Sequence, residues 1–600
     1  MPSASLRVRL AVQAVVICLS QAAQVPFRGR ASGAPQSSFE ADSQWRFDAH
    51  PPANATGNFI FDGVSSLLQQ WANTHYRNGH NIVPATIPVG TLLYHGTNQK
   101  VLPAGPEWTA VDPEHSYFFC RAPAEGEGCY HLTLAATRPL NLLYFDGSSA
   151  AKMYGTMDSQ DMIIWGEIKS PYNEWERIIS LCDWGKKYDL DGFLRMEPDF
   201  EIMLCDFKNG VEPVSFLNLR PAGTLGPPGV PPHERRQGKV SQRLNYGLIE
   251  AGQWHNRFPG DTRITLDLGR LISFYDLDMF PSLVEGRLNQ ERFDHRVAGI
   301  DKEDMERLLA RVDEVLTSKP VASGVDWSSL YRVVIHRYAD RLELLRYMLN
   351  STGTDSSSRT DKVLHDTHEF VGSMLSPYIL NDAQPSNPPS QGSPQLSWAS
   401  PVFELCATTH TKYIKSLPLT TSERLMLRSV NEVLHEICRV VVGIWAEGIE
   451  LNLTTGPDFA GSDSEPWTSS KSAKVRERWH SKVVTLMGWL DWSVWVKCRP
   501  ACGFEEMCYL PTWPFFRNSD GRIPTLQQDI PQDLHSPDAL RPPLGYKEGQ
   551  WERILRSWEL ERYNSTVMQK KAEAIPDSNW TRPKPRCARR LQPFDFCLNC

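Results

Sequence analysis

The sequence predicts an α+β N-terminal domain followed by a mainly α-helical C-terminal region with a disulfide-rich tail, and three observations predict it. Short runs rich in β-formers, at Thr91 to Tyr94, His131 to Leu134, Leu140 to Phe145, Phe193 to Met196 and Glu201 to Phe207, precede a Pro/Gly cluster at Pro221 to Pro232. Beyond that cluster, apolar residues recur at helical spacing from about Ile300. Near the C-terminal end stand Cys498, Cys502, Cys508, Cys587, Cys597 and Cys600, close enough in sequence to staple a proline-rich stretch around Pro511 to Pro514. A chain of 600 residues is longer than one core usually holds, since domains cluster near ~100–150 residues, so it is expected to divide.

Taken in order, Arg7 and Arg9 precede a short apolar run from Leu10 to Leu19, and Ser20-Gln21-Ala22 follows as a small-x-small cleavage pattern. Residues 1–22 therefore read as a signal peptide, too short to span a membrane, and 23–44 as a linker. Cleavage removes Cys18 from the thirteen cysteines and leaves an even number, as an oxidising compartment favours. Sequons at Asn54, Asn350, Asn452, Asn564 and Asn579 agree with a secreted, extracellular glycoprotein. No later stretch is apolar enough to span a membrane, and the end at Cys600 is not a lipid-anchor signal.

The α+β domain is expected at 45–220, a Pro/Gly linker at 221–236, and the helical region at 237–497, with low-complexity insertions near 351–360, 381–400 and 454–472. Residues 498–600 form the tail. In the helical region Asp301 can cap a helix whose Met305, Leu308, Leu309, Val312, Val315 and Leu316 share one stripe. Further helices are expected at Leu330 to Met348, at Thr420 to Glu450, where Thr420 and Glu423 have capping-box spacing, and at Val475 to Val496. No repeat of fixed period is present. With 41% hydrophobic and 22% charged residues the chain is not disordered throughout, and a net charge of −7 gives no electrostatic footprint for nucleic acid or an anionic membrane.

The residues that carry chemistry lie between Thr91 and Phe207. The strand Thr91 to Tyr94 delivers His95-Gly96-Thr97, where a glycine lets backbone amide and carbonyl approach a ligand closely. Next come Glu107-Trp108-Thr109-Ala110-Val111-Asp112-Pro113-Glu114 and the aromatics Tyr117, Phe118 and Phe119. A helix from Asn173 to Tyr188 leads to Asp191-Gly192-Phe193, and after Pro198 to a strand on which Glu201 is a lone carboxylate heading an apolar run. On an edge strand Glu201 would be an ordinary solvent-facing charge.

Together with Arg138-Pro139-Leu140-Asn141-Leu142-Leu143, these blocks resemble the ADP-ribosyltransferase fold, in its diphtheria-toxin and poly(ADP-ribose) polymerase branch built on a His, Tyr, Glu triad. The resemblance covers roughly Gly90 to Leu219 and implies a split β-sheet around an NAD cleft. It implies that His95 bonds a ribose hydroxyl of NAD, that Gly96 pairs its backbone with the nicotinamide amide, and that Glu201 is the catalytic glutamate. A fixed carboxylate there would stabilise the oxocarbenium-like ribosyl centre left when nicotinamide departs. Trp108 stands at the place of the triad tyrosine, and the second stacking ring would come from Tyr117 or Phe119. Trp can stack on a flat ring as Tyr does but offers no hydroxyl there. The whole chain is also similar in its layout to large secreted proteins of filamentous fungi.

Two functions follow as expectations. The first is NAD cleavage, with ADP-ribose transferred to an unknown acceptor or NAD simply hydrolysed. The second is a catalytically inactive extracellular glycoprotein that keeps the fold to bind a protein partner. No metal is expected: His365 and His368 share a helical face without a third ligand, and Asp276-Leu277-Asp278 is too short a signal. Asp158 and Asp161 read as solvated loop carboxylates, and Trp489, Trp492 and Trp495 as core. Cys120, Cys129, Cys182 and Cys205 would brace the cleft elements, and disulfides are preferred to zinc for Cys597 and Cys600.

Overall fold

Ten short strands form one mixed sheet in the computed structural model of the protein. It describes residues 44–120, 128–171, 173–220, 238–256, 259–288, 290–318, 322–350, 357–385, 396–453, 469–512 and 582–591. The described residues from His50 onward form one compact unit. The unit before it ends at Ala49, and within it Arg46 pairs with Asp48. The expected signal peptide and linker, the sequons at Asn564 and Asn579, and Cys597 and Cys600 lie outside the described residues.

Two helices, α1 (Gly57–Ser65) and α2 (Gln70–His75), lead into β1 (Asn81–Ile87), β2 (Leu92–Thr97) and β3 (Glu107–Ala110). The short helix α3 (Pro113–Phe119) precedes β4 (Cys129–Ala136) and β5 (Leu140–Phe145), and α4 (Asp158–Trp165) and α5 (Glu174–Gly185) precede β6 (Gly192–Met196), β7 (Phe200–Leu204) and β8 (Val211–Leu219). After α6 (Gly238–Gln253) come β9 (Thr265–Leu266) and β10 (Ile272–Ser273). The sheet order is β10-β1-β5-β6-β7-β3-β2-β4-β8, with β9 also on β1. Only β5 and β6 run parallel among these pairs. Between β2 and β3 the pairing is reduced to a single register pair, Tyr94 with Ala110, so the sheet is pinched there.

The strand runs read from the sequence fall on β2, β4, β5, β6 and β7, but the expected boundary at Pro221 is not a boundary of the sheet. Residues Thr265, Leu266, Ile272 and Ser273 pair with β1 from the far side of it. These strands are two residues long, too short to show an alternating pattern. The core crosses the same line: Ile82, Phe145, Ile178, Phe193 and Met203 pack with Phe274, Leu308, Val312 and Val315. At about 25 cal/mol per Å² of apolar surface buried, this shared core ties the two sequence regions together.

Beyond β10 the described residues are mainly helical, as expected: α7 (Ser282–Arg287), α8 (Lys302–Thr317), α9 (Trp327–Asn350), α10 (Ser357–Leu375), α11 (Ser400–Thr408), α12 (Thr421–Glu450) and α13 (Ser469–Leu490). Asp301 caps α8 by accepting from the Asp304 amide, and its stripe buries Leu308, Val312 and Val315 while Leu309 is exposed. The helix expected to run to Val496 stops at Leu490, because Asp491 turns the backbone to a φ of 47°. Trp492 is buried against Phe61 after that turn, so the tryptophans are not on one helix.

At α12 the capping box is complete: Thr420 Oγ1 accepts from the Glu423 amide at 3.1 Å, and Glu423 Oε2 accepts from the Thr420 amide at 2.8 Å. Thr420→Ala is expected to cost about 1 kcal/mol, read as a lower urea midpoint with an unchanged slope.

Disulfides join Cys120 to Cys129, Cys182 to Cys205, Cys406 to Cys438, Cys498 to Cys508 and Cys502 to Cys587. The last two anchor an antiparallel pair of β11 (Glu506–Tyr509) with β12 (Arg586–Arg589). Among the described residues no helix is long and apolar enough to cross a membrane.

Candidate functional site

The strands carrying the expected NAD residues are neighbours. Register runs Tyr94 to Ala110 across β2 and β3, then Ala110 to Glu201 across β3 and β7. Residues opposite one another in antiparallel strands share a face, and successive residues alternate. Glu201 therefore points to the face of Ala110 and Tyr94. His95, one residue on from Tyr94, points to the other.

The contacts agree with that assignment. His95 Nδ1 lies 2.7 Å from the Trp108 carbonyl, which can only accept, so Nδ1 carries the proton. Its ring packs edge-on against Phe207 at 5.5 Å. Burial pushes the imidazole down to about 4, so it is neutral at pH 7. Gly96 is a glycine because α3 crowds it: a Cβ there would collide with the Ser116 carbonyl. What approaches the backbone at Gly96 is the protein's own helix α3.

Glu201 is not on an edge strand. It lies between β6 and β3 and is 5% exposed. Its Oε1 accepts from Arg195 Nη2 at 2.7 Å, and the same nitrogen reaches Glu174 Oε1 at 2.5 Å. Arg195 Nη1 donates to Gln160, and Arg177 adds bonds to Asp161 at 2.6 Å and Glu174 at 3.2 Å. Two guanidiniums thus face three carboxylates, all buried, and such a set is one positive charge short. Burial pushes the Glu201 carboxyl above its usual range against the pull of Arg195, with Glu174 adding to the push. Burial acts the same way on Glu174, but Arg195 and Arg177 outweigh it and hold that carboxyl low. The arrangement clamps β6 and β7 to α4 and α5.

The aromatic candidates occupy three different settings. Trp108 packs on the core against which Met203 and Phe193 lie. Tyr117 is half-buried and its hydroxyl donates to the Arg220 carbonyl at 2.5 Å. Phe119 is 55% exposed and touches Phe118 and His115.

Asp158 and Asp161 are corrected too: both are buried on α4, paired with Arg296 and Arg177. Asp276 and Asp278 pair with Arg428. His365 Nδ1 and His368 Nε2 each meet a backbone carbonyl, of Leu453 and Trp445.

With this geometry in hand, the comparisons with known proteins can be placed. Residues 52–130 and 122–234 match the family model described as the YPL277C N-terminal domain. The chain is similar to the uncharacterized protein YOR389W of Saccharomyces cerevisiae, 24% identical over 540 residues, covering 76% of this chain and 81% of the relative. It is also similar to the uncharacterized protein YPL277C of the same yeast, 27% identical over 383 residues, covering 50% of this chain and 77% of the relative. No solved structure matches.

Sequence reasoning missed Arg195, Arg177, Glu174 and Gln160. The available signal was Arg195 itself, a charge inside the apolar strand Gly192–Met196, which has to find a buried partner.

Proposed function

We propose that the protein is a secreted, disulfide-braced glycoprotein that acts by binding rather than by cleaving NAD. The observation that carries this is the position of Glu201. A catalytic carboxylate must reach the ribose, whereas this one is buried, bonded to Arg195, and on the opposite face of the sheet from His95. Extracellular residence is supported by the five disulfides among the described residues, since such bonds persist in oxidising compartments. The sequon residues Asn54, Asn350 and Asn452 are exposed, as an attached glycan requires.

NAD cleavage stands as the second reading, and it draws on one observation: β2, β3 and β7, which hold His95, Trp108 and Glu201, are adjacent. Incubating purified protein with NAD and measuring nicotinamide release separates the two. The binding reading expects release no faster than from buffer, with Glu201→Gln identical to wild type. A wild-type rate that Glu201→Gln abolishes would establish the enzyme and overturn the proposal.

A further inference from the structure

A second cluster of buried ionisable groups lies away from Glu201's network. Asp112 follows β3, Asp199 sits in the turn between β6 and β7, His255 lies in the single turn after α6, and Asp261 and Arg263 lie in the loop beyond. Asp112, Asp199, His255 and Asp261 are exposed by 3%, 0%, 7% and 2%. His255 Nε2 is 2.8 Å from Asp112 Oδ2, 3.8 Å from Asp199 Oδ1 and 3.9 Å from Asp261 Oδ2.

Three features of this cluster are unresolved by its own members. First, three carboxylates face one guanidinium. Second, His255 Nε2 is 2.8 Å from an acceptor, Asp112, and 3.2 Å from a donor, Arg263 Nη2, and one ring nitrogen cannot donate to the first and accept from the second. Third, Asp199 Oδ1 accepts from the Phe200 amide, but Asp199 Oδ2 is buried without a hydrogen-bond partner. An orphaned buried carboxylate oxygen is costly to leave that way.

A cation bound by the cluster removes all three. We propose that Asp112, Asp199 and His255, with Asp261 beside them, form a site for one divalent metal ion. Their donor atoms already lie within 4.8 Å of one another. Atoms bound at ~2.1 Å to one ion stand about 3–3.5 Å apart, so small side-chain shifts close the set. An ion there leaves Nε2 as a bare ligand, engages the Asp199 carboxylate and balances the surplus negative charge. One imidazole nitrogen among carboxylate oxygens suits Mn²⁺ or Zn²⁺ better than Mg²⁺ or Ca²⁺, which take oxygen ligands. Arg263 Nη2, bonded to Asp112 at 3.0 Å and Asp261 at 2.7 Å, sits where the ion would. Its side chain is 33% exposed, so it is the member able to yield the position to solvent.

The test is calorimetric titration of EDTA-stripped, dialysed full-length protein with MnCl₂ and, separately, ZnCl₂, with thermal melts on the same samples. The expected result is one ion per chain and a higher Tm with metal. Asp199→Asn should bind at least ~10-fold more weakly, the lower end of what losing even an outer-shell partner costs, and its Tm should stop responding to metal. Arg263→Ala should bind more tightly than wild type. The rival arrangement is a proton shared between Asp112 and Asp199. In that case wild type binds neither ion and Asp199→Asn, which mimics a protonated carboxyl, melts like wild type, which overturns the proposal. Undiminished binding in Asp199→Asn overturns it as well. If Asp199→Asn does not fold, Asp261→Asn on the loop takes its place under the same criteria.

Discussion

Acidified from pH 7 to pH 4, the protein is expected to lose the stability that depends on its buried histidines staying neutral. Burial drives His95, His115 and His295 each from 6.5 to about 4. Folded, they stay neutral where the unfolded chain has already taken up protons. The unfolded state therefore binds more protons between pH 6.5 and pH 4, so the stability is present in full above 6.5 and is lost as pH falls through 4. Each group contributes about 3 kcal/mol over that window, and the three together ~10 kcal/mol. That equals the whole stability of a typical domain, ~5–15 kcal/mol.

Asp146 works in the opposite sense. Burial raises its carboxyl to about 6 despite bonds from the His80 and Asn81 amides, so acidification from 6 downward relieves about 3 kcal/mol. Glu107, raised to about 7, and Glu197 and Asp199, raised well above their usual range, act in the same sense as Asp146, while His75, lowered to about 4, and His80 act with the other histidines. His295→Gln isolates one histidine contribution: it should flatten the change of urea midpoint between pH 6.5 and pH 4.5 relative to wild type and reduce the proton uptake on unfolding by about one. A pH profile that His295→Gln leaves unchanged would contradict this account.

The second large effect is expected at Arg195. Arg195→Met removes the positive partner shared by Glu174 and Glu201 and leaves both carboxyls buried, which should cost about 3–5 kcal/mol. Glu201→Gln keeps an oxygen facing Arg195 and should cost only about 1 kcal/mol, so it remains a folded control for the NAD assay. Because a buried ion pair is often replaceable by well-packed apolar residues, the double change Arg195→Met with Glu201→Leu should recover part of the loss. Equilibrium unfolding at pH 7 reads all three. An Arg195→Met protein within ~1 kcal/mol of wild type would show that the network is not a clamp.

Local chemistry was legible in the sequence wherever neighbours in the chain decide it. Thr420 and Glu423 close a capping box three residues apart, and Asp301 caps its helix from the adjacent position. The run of β-formers Leu140–Phe145 emerged at its written boundaries. What was not legible is decided by partners far along the chain. Asp161 looked like a loop carboxylate because Arg177 meets it only once two helices fold together. Glu201 took its catalytic role from the resemblance, and its strand neighbour Arg195, six residues away across a turn, is related to it by no spacing rule. Asp112, Asp199 and His255 are separated by some 140 residues and converge only in three dimensions.

The two short strands that reach β1 from beyond the proline cluster govern how this protein can be cut and how it is born. The matched family region stops at residue 234, before Thr265 and Ser273. A recombinant fragment ending there would leave β1 with a bare edge along Asn81, Ile82, Ala85 and Thr86, a template for pairing with other chains. During synthesis the same edge waits open until residue 273 has left the ribosome. Any fragment meant to isolate the sheet has to run past Ser273, and past Val315 if it is to keep the core that covers it.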